Sequence, residues 1–151
     1  QRQMCIRDRY NCRFGDPETQ VVLPLLETDI MDIIEAVWEE KLDTLDIKWS
    51  DKSCACVVMA SGGYPEKYET GKVISGLDEN GQCEGAFVYH AGTKLEDGKF
   101  LTAGGRVLGI TAYGDTLKEA LDTAYKAVDT ISFEKAHYRH DIGKKALSAL
   151  K

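Results

Sequence analysis

Near the start of the chain, the stretch "NCRFGDPE" sets Asn11, Arg13, Asp16 and Glu18 around Gly15 and Pro17. An amide, a guanidinium and two carboxylates so close together are groups that grip ligands. Arg13 offers a planar fork to a carboxylate or phosphate, and a helix N-terminus favours anions. Carboxylates beside such a fork could instead hold an ammonium group or a sugar hydroxyl. The same residues also make a sound helix start, with Asp16 as cap, Pro17 in the first position and Glu18 against the dipole. Residue types alone leave both readings open.

Two later stretches carry similar potential. In "TAGGRVLG", Gly104 and Gly105 could present backbone N–H groups beside the Arg106 guanidinium, although a plain hairpin turn accounts for the same residues. In "HYRHDIG", His137, Arg139 and His140 lie next to Asp141, as a ligand-facing loop or a solvated local ion pair. "GTK" after His90 lacks the spacing of a phosphate-cradling loop. His90, inside a strand pattern, reads more simply as structural. No His, Cys and carboxylate cluster has zinc spacing, and no nucleophile–base pairing is legible.

The elements that must position these groups follow from periodicity. "DPETQVVLPLL" predicts a helix broken or kinked at Pro24. "TDIMDIIEAVWEEKL" predicts a second helix over 28–42, capped by Thr28, with Asp29 and Asp32 in its first turn. Ile30, Ile33, Ile34, Val37 and Trp38 fall on one face of it. Strands are predicted in "CACVVMA", "KVISGL", "GAFVYHAGTK", "KFLTAG" and "GRVLGITAYG", with hairpin-type turns at "DENGQ" and "EDGK". "DTLKEALDTAYKAVDTI" predicts a strong helix with a Thr116–Glu119 capping box, and "GKKALSALK" a short last one. The polar stretch "DTLDIKWSDKS" is the boundary between helical and strand periodicity.

A chain of 151 residues fits one domain, or a small domain plus part of another. Its net charge of -6 argues against a nucleic-acid surface, which needs a basic face. No apolar run approaches the roughly 20 residues that span a bilayer, so no membrane partner is expected. Five cysteines without a C-x-x-C pair read as reduced thiols, which points to the cytoplasm. Cys54 and Cys56, two apart in a strand, face the same side but lie too far apart for an easy bridge.

Taken together, these stretches resemble a known family. "YNCRFGDPETQVVLPLL" is similar to the signature of glycinamide ribonucleotide synthetase (phosphoribosylamine–glycine ligase), of the ATP-grasp class. The likeness continues in order through "VVMASGGYPEKYETGKVISGL", "VYHAGTK", "TAGGRVLGITAYGDTLKEAL" and "YRHDIG", from Tyr10 to the end. The resemblance implies a ligase of de novo purine biosynthesis. ATP phosphorylates the glycine carboxylate, and the amine of 5-phosphoribosylamine attacks the acyl phosphate to give an amide, ADP and phosphate. It implies Mg2+ or Mn2+ with ATP in the parent enzyme, and Asn11 as a metal-ligating amide. It places Arg13, the catalytic candidate, together with Asp16 and Glu18 beside the glycine and phosphoribosylamine pockets. Gly104, Gly105, Arg106 and Arg139 would close the pocket from the C-terminal side.

The fold implied is α+β: a small mixed β-sheet domain with packed helices over 50–151, preceded over 10–49 by the tail of an ATP-grasp domain. Residues 1–9, "QRQMCIRDR", match nothing in the family pattern and read as a non-native junction. Where the family carries a metal-binding glutamate two residues before the asparagine, this chain has Arg9. A guanidinium roughly 4 Å from a divalent cation costs about 8 kcal/mol at an effective dielectric of about 20, so Arg9 cannot take over that role. The family's nucleotide-holding loop and lysines lie upstream of the matching stretch. The chain is therefore expected to be inactive alone, needing the N-terminal part of the same enzyme as partner. The ending soon after "DIG" points to a single-function parent. The alternative is a non-catalytic domain that binds a phosphorylated sugar or merely closes an ATP-grasp site.

Overall fold

Strand periodicity takes hold at Ser53, and there the core begins. The computed structural model describes residues 13–149. Strand β1 (Ser53–Ala60) and strand β5 (Arg106–Gly114) pair antiparallel, and β2 (Phe87–His90) pairs with the other side of β5. Strands β3 (Thr93–Glu96) and β4 (Lys99–Thr102) form a separate antiparallel hairpin. The expected α+β fold is thus realised with two small antiparallel sheets. The "EDGK" turn closes the hairpin with Asp97 and Gly98 at positive φ, the conformation a two-residue hairpin loop needs.

Alternation along β1 and β5 gives the sheet two faces. Val57 lies opposite Ile110, and Ile110 opposite Val88, so these three share one side. Helix α3 (Leu117–Thr130) covers that side with Ala120, Leu121, Ala124, Ala127 and Val128, all buried. The Thr116 hydroxyl accepts from the Glu119 amide, and the Glu119 carboxylate accepts from the Thr116 amide, so the predicted capping box is in place. Cys54, Cys56, Val58 and Tyr113 face the opposite side. There the opening segment lies across the sheet, with the Tyr113 hydroxyl donating to the Pro24 carbonyl (3.3 Å).

Several elements differ from the sequence reading. Helix α1 starts only at Thr19 and ends at Val22; Leu23–Leu25 is a 3-10 turn with Pro24 near its start. Asp16 does not cap it, because its carboxylate is engaged by Gln20 and Arg106 instead. Helix α2 runs Ile30–Trp38, shorter than 28–42, and a 3-10 turn follows at Leu42–Thr44. Its cap is Asp29, whose carboxylate accepts from the Met31 amide (2.8 Å). The Thr28 hydroxyl accepts from the Lys48 amide (2.7 Å), which ties the two ends of the α2 excursion together. "KVISGL" forms only isolated bridges, Val73 to Leu101 and Ser75 to Ser132. "GAFVYHAGTK" divides into β2 and β3, because the chain turns at Ala91–Gly92 to pair with the next segments. The last helix, α4, spans Lys144–Ala149.

Candidate functional site

The site begins where β1 and β5 lose register. A register shift between Met59 and Ala60 sets Ala60 opposite Arg106, the first residue of β5. Arg106 Nη2 stands 2.9 Å from Asp16 Oδ2, and Nη1 donates to the Asp16 carbonyl at 3.3 Å. Asp16 Oδ1 accepts from Gln20 Nε2 at 3.0 Å. The opening segment is thereby tied to the sheet across 90 residues of sequence.

Arg139 approaches from a third direction. Its Nε and Nη2 each donate to one Asp141 carboxylate oxygen at 2.9 Å. This two-point contact raises the Arg139 pKa and holds the Asp141 carboxyl below its ordinary range. Tyr125 of α3 fixes the loop, donating to the Arg139 carbonyl (2.7 Å) and accepting from the Ile142 amide (3.2 Å).

A cavity of about 280 Å³ opens between these three pieces. Its lining includes Pro17 from the opening segment, Arg106 from β5 and Arg139 from the loop. Cys56, Val58 and Tyr64 add an apolar floor and wall. Arg13 and Glu18 do not line it. The Glu18 carbonyl accepts from the Val21 and Val22 amides at the start of α1, and Arg13 Nη1 lies 3.4 Å from the Phe14 carbonyl. Asn11 and Arg9 fall outside the described residues.

What the Gly104–Gly105 pair does in the fold is pack closely. A Cβ on Gly105 would stand 2.2 Å from the Tyr64 ring, and one on Gly104 3.0 Å from the Gly92 Cα. The Ser61 hydroxyl donates to the Gly104 carbonyl and the Ser61 amide to the Gly105 carbonyl, both at 2.8 Å. Tyr64 was missed by sequence reasoning, which took it only as part of the family-like stretch "VVMASGGYPEKYETGKVISGL". The only cue was an aromatic in a stretch rich in Gly and Pro, which does not say what its ring meets.

His90 is structural, as its strand position suggested. Nε2 meets the Gly81 carbonyl and Nδ1 the Thr93 hydroxyl, both at 2.9 Å, and the ring packs on Phe100. Cys54, Cys56 and Cys83 are free thiols. Burial pushes the Cys54 thiol from 9.0 up to about 11, with Cys56 close by adding to the shift. Among the described residues, no group of three or more His, Cys, Asp or Glu could hold a metal ion. The single amide of Asn11 beside Arg9 is not a complete donor set for a divalent cation. No described helix is long and apolar enough to cross a membrane.

Residues 54–145, which contain the sheets, α3 and both cavity arginines, match the family described as "Phosphoribosylglycinamide synthetase, C domain". The chain belongs to this family. A phosphoribosylamine–glycine ligase of Caldanaerobacter subterraneus subsp. tengcongensis is 55% identical over 133 residues, 88% of this chain and 31% of the relative. A ligase of the same name from Synechocystis is 51% identical, over 91% of this chain and 33% of its own. The crystal structure of phosphoribosylamine–glycine ligase from Thermotoga maritima superposes with a TM-score of 0.68 at 34% identity, covering 88% of this chain and 32% of that one. This phosphoribosylglycinamide synthetase C domain and its leading segment thus span about a third of the length of the relatives they match.

Proposed function

We propose that the chain is the C-terminal segment of an ATP-dependent phosphoribosylamine–glycine ligase acting in de novo purine biosynthesis in the cytoplasm. In this reading, residues 10–49 are the tail of the ATP-grasp domain and 50–151 the C-terminal domain. The start of the family match at residue 54 supports that division. So does the position of the first buried apolar side chain among the described residues, Ala55.

The observation that carries the reading is the convergence of three distant pieces on one cavity. Asp16 grips Arg106, and Arg106 and Arg139 line the same space. The reaction needs glycine, ATP and a sugar phosphate brought together, so positioning and charge stabilisation supply most of the catalysis. Arg106 and Arg139, each oriented by a carboxylate, would present their remaining N–H groups to the sugar phosphate. Gly104 and Gly105 let that turn approach closely. Arg13, Asp16 and Glu18 would serve the glycine and amine side, with Arg13 as the catalytic candidate. Magnesium or manganese would neutralise the ATP phosphates in the parent, with Asn11 as this chain's contribution. The nucleotide itself would be held by the remaining two-thirds of the parent, so this segment alone should not turn over.

One feature of the site favours a second reading. Both guanidiniums already face carboxylates, which leaves the cavity little net charge for an anion. That suits a domain that closes a neighbouring active site without gripping the substrate. One measurement separates the readings, and a second tests what they share. Calorimetry with glycinamide ribonucleotide should show binding that Arg106→Ala abolishes; no response leaves the closing role. An assay of ADP release with glycine, phosphoribosylamine and magnesium should show no turnover by the chain alone. Robust turnover would sink the inactive-segment proposal.

A further inference from the structure

A second cavity opens between α3 and α4, and neither Arg106 nor Asp16 lines it. Its volume is about 620 Å³, within the roughly 300–1,000 Å³ of small-molecule sites. Its floor is Leu121, Tyr125, Ile142 and Leu147, all part of the apolar cluster around Ala55 and Ala120. Gly143 sets α4 against that floor. Its φ of 75° is left-handed, and a Cβ there would stand 2.5 Å from Leu121 Cδ1. The Tyr125 hydroxyl holds the same turn through the Arg139 carbonyl and the Ile142 amide. The hollow is therefore framed by fixed elements. Charge collects at its rim. Lys118 and Asp122, one turn apart on α3, pair at 2.5 Å and largely cancel. Lys144 lines the cavity from α4 and has no ion-pair partner among the described residues. The nearby Asp141 has both carboxylate oxygens on Arg139. His140 adds a flat ring, packed on Tyr138 with centroids 4.6 Å apart. A chain of net charge -6 thus presents here an apolar hollow with one uncommitted cation at its edge.

We infer that this cavity binds an amphipathic aromatic anion, with a flat ring on the Leu121, Ile142 and Leu147 floor and one carboxylate, sulfonate or phosphate group at Lys144. Three features select that chemistry. The apolar floor and the Tyr125 ring reward burial of flat carbon surface. Lys144 gains a partner without giving one up, so the anion meets no competing pair. Asp122 on the same rim disfavours a ligand with anionic groups at both ends. A neutral ring would leave Lys144 unused, and a bare anion would leave the floor uncovered. The site is separate from the cavity of Arg106 and Arg139, although Ile142 lines both. The turn from Arg139 to Ile142 is their common wall, so a ligand pressed on Ile142 bears on the segment that carries Arg139.

Amide-resolved NMR of the chain tests this with three probes: a naphthalenesulfonate, the neutral naphthylmethanol, and methanesulfonate. With naphthalenesulfonate, amides of 118–125 and 142–148 should shift along one saturating curve. Naphthylmethanol should bind about tenfold more weakly, and methanesulfonate should give no saturable shift. Lys144→Gln should weaken naphthalenesulfonate about tenfold, with the amides of β5 reporting an intact fold. Asp122→Asn should strengthen it about threefold by releasing Lys118, a sign that no folding defect produces. Ser148→Trp, which puts a ring into the hollow, should abolish saturation. Three results each overturn the inference. One is a set of shifts centred on Trp38, 89% exposed on α2, instead of on α3 and α4. The others are equal affinity for the sulfonate and the alcohol, and unchanged affinity in Lys144→Gln.

Discussion

Helices α2 and α3 are both amphipathic, and the protein treats them in opposite ways. Helix α3 buries Ala120, Leu121, Ala124, Ala127 and Val128 against the sheet, beside Val57, Leu108 and Ile110. Helix α2 carries larger apolar side chains and buries none of them. Period and composition decide that a segment becomes a helix with an apolar stripe; they do not say what the stripe meets. For α3 the answer lies in the strand that immediately precedes it. For α2 no such face follows, and the chain runs instead through a 3-10 turn and the Lys48–Ser50 return.

The contrast is broken or upheld most strongly in the core. Ile110 is fully buried in the middle of β5, between Val57 and Val88. Ile110→Ala should cost about 2–5 kcal/mol, from lost transfer energy plus the cavity left behind. The check is the urea midpoint at unchanged m-value. A loss below about 1 kcal/mol would mean that the sheet–α3 layer is no better packed than α2, contrary to its burial.

How far the sequence carried depended on whether an element's partners were close in the chain. The α3 capping box, the β1 and β5 strands and the hairpin at Asp97–Gly98 were legible because local residues specify them. "KVISGL" was not: its β-branched pair Val73 and Ile74 is strand-like, but its neighbours offered single bridges at Leu101 and Ser132 rather than a ladder. Asp16 was legible as a functional type but misassigned as a cap, since its partner Arg106 is 90 residues away. Arg106 and Arg139 were singled out separately; that they share one cavity is a fact of tertiary structure alone. The close approach of Tyr64 to Gly105 was equally invisible, because nothing in a turn-like hexapeptide says which glycine its ring will meet.

A weaker test probes the sheet face beneath the opening segment. Cys54 lies on that face, with its thiol raised from 9.0 to about 11 mainly by burial. A raised thiol pKa means the folded state holds its proton more tightly than the unfolded chain. Its contribution to stability is therefore complete below pH 9 and fades as pH climbs through about 11. Alkylation of Cys54 by iodoacetamide should be slow at pH 8 and accelerate towards pH 11, well after a free thiol has reached its plateau. A plateau near pH 9 would show that the opening segment does not shield this face in solution.

The smallest effect is the most diagnostic, because its sign is the reverse of the core result. Val37 is more than half exposed on α2, so truncation to Ala removes little buried surface and leaves no cavity. Alanine is the better helix former by roughly 0.5 kcal/mol, since the β-branched side chain loses rotamer freedom against the preceding turn. Val37→Ala should therefore leave the isolated chain's stability unchanged or slightly increased, within about 0.5 kcal/mol. The same substitution in a full-length parent, with α2 covered, should turn destabilising as the lost methyl groups are charged against a packed interface. Chemical denaturation of both backgrounds measures the pair. A loss of more than about 1 kcal/mol in the isolated chain would mean that α2 already has a partner there, and that the two helices differ less than their exposures imply.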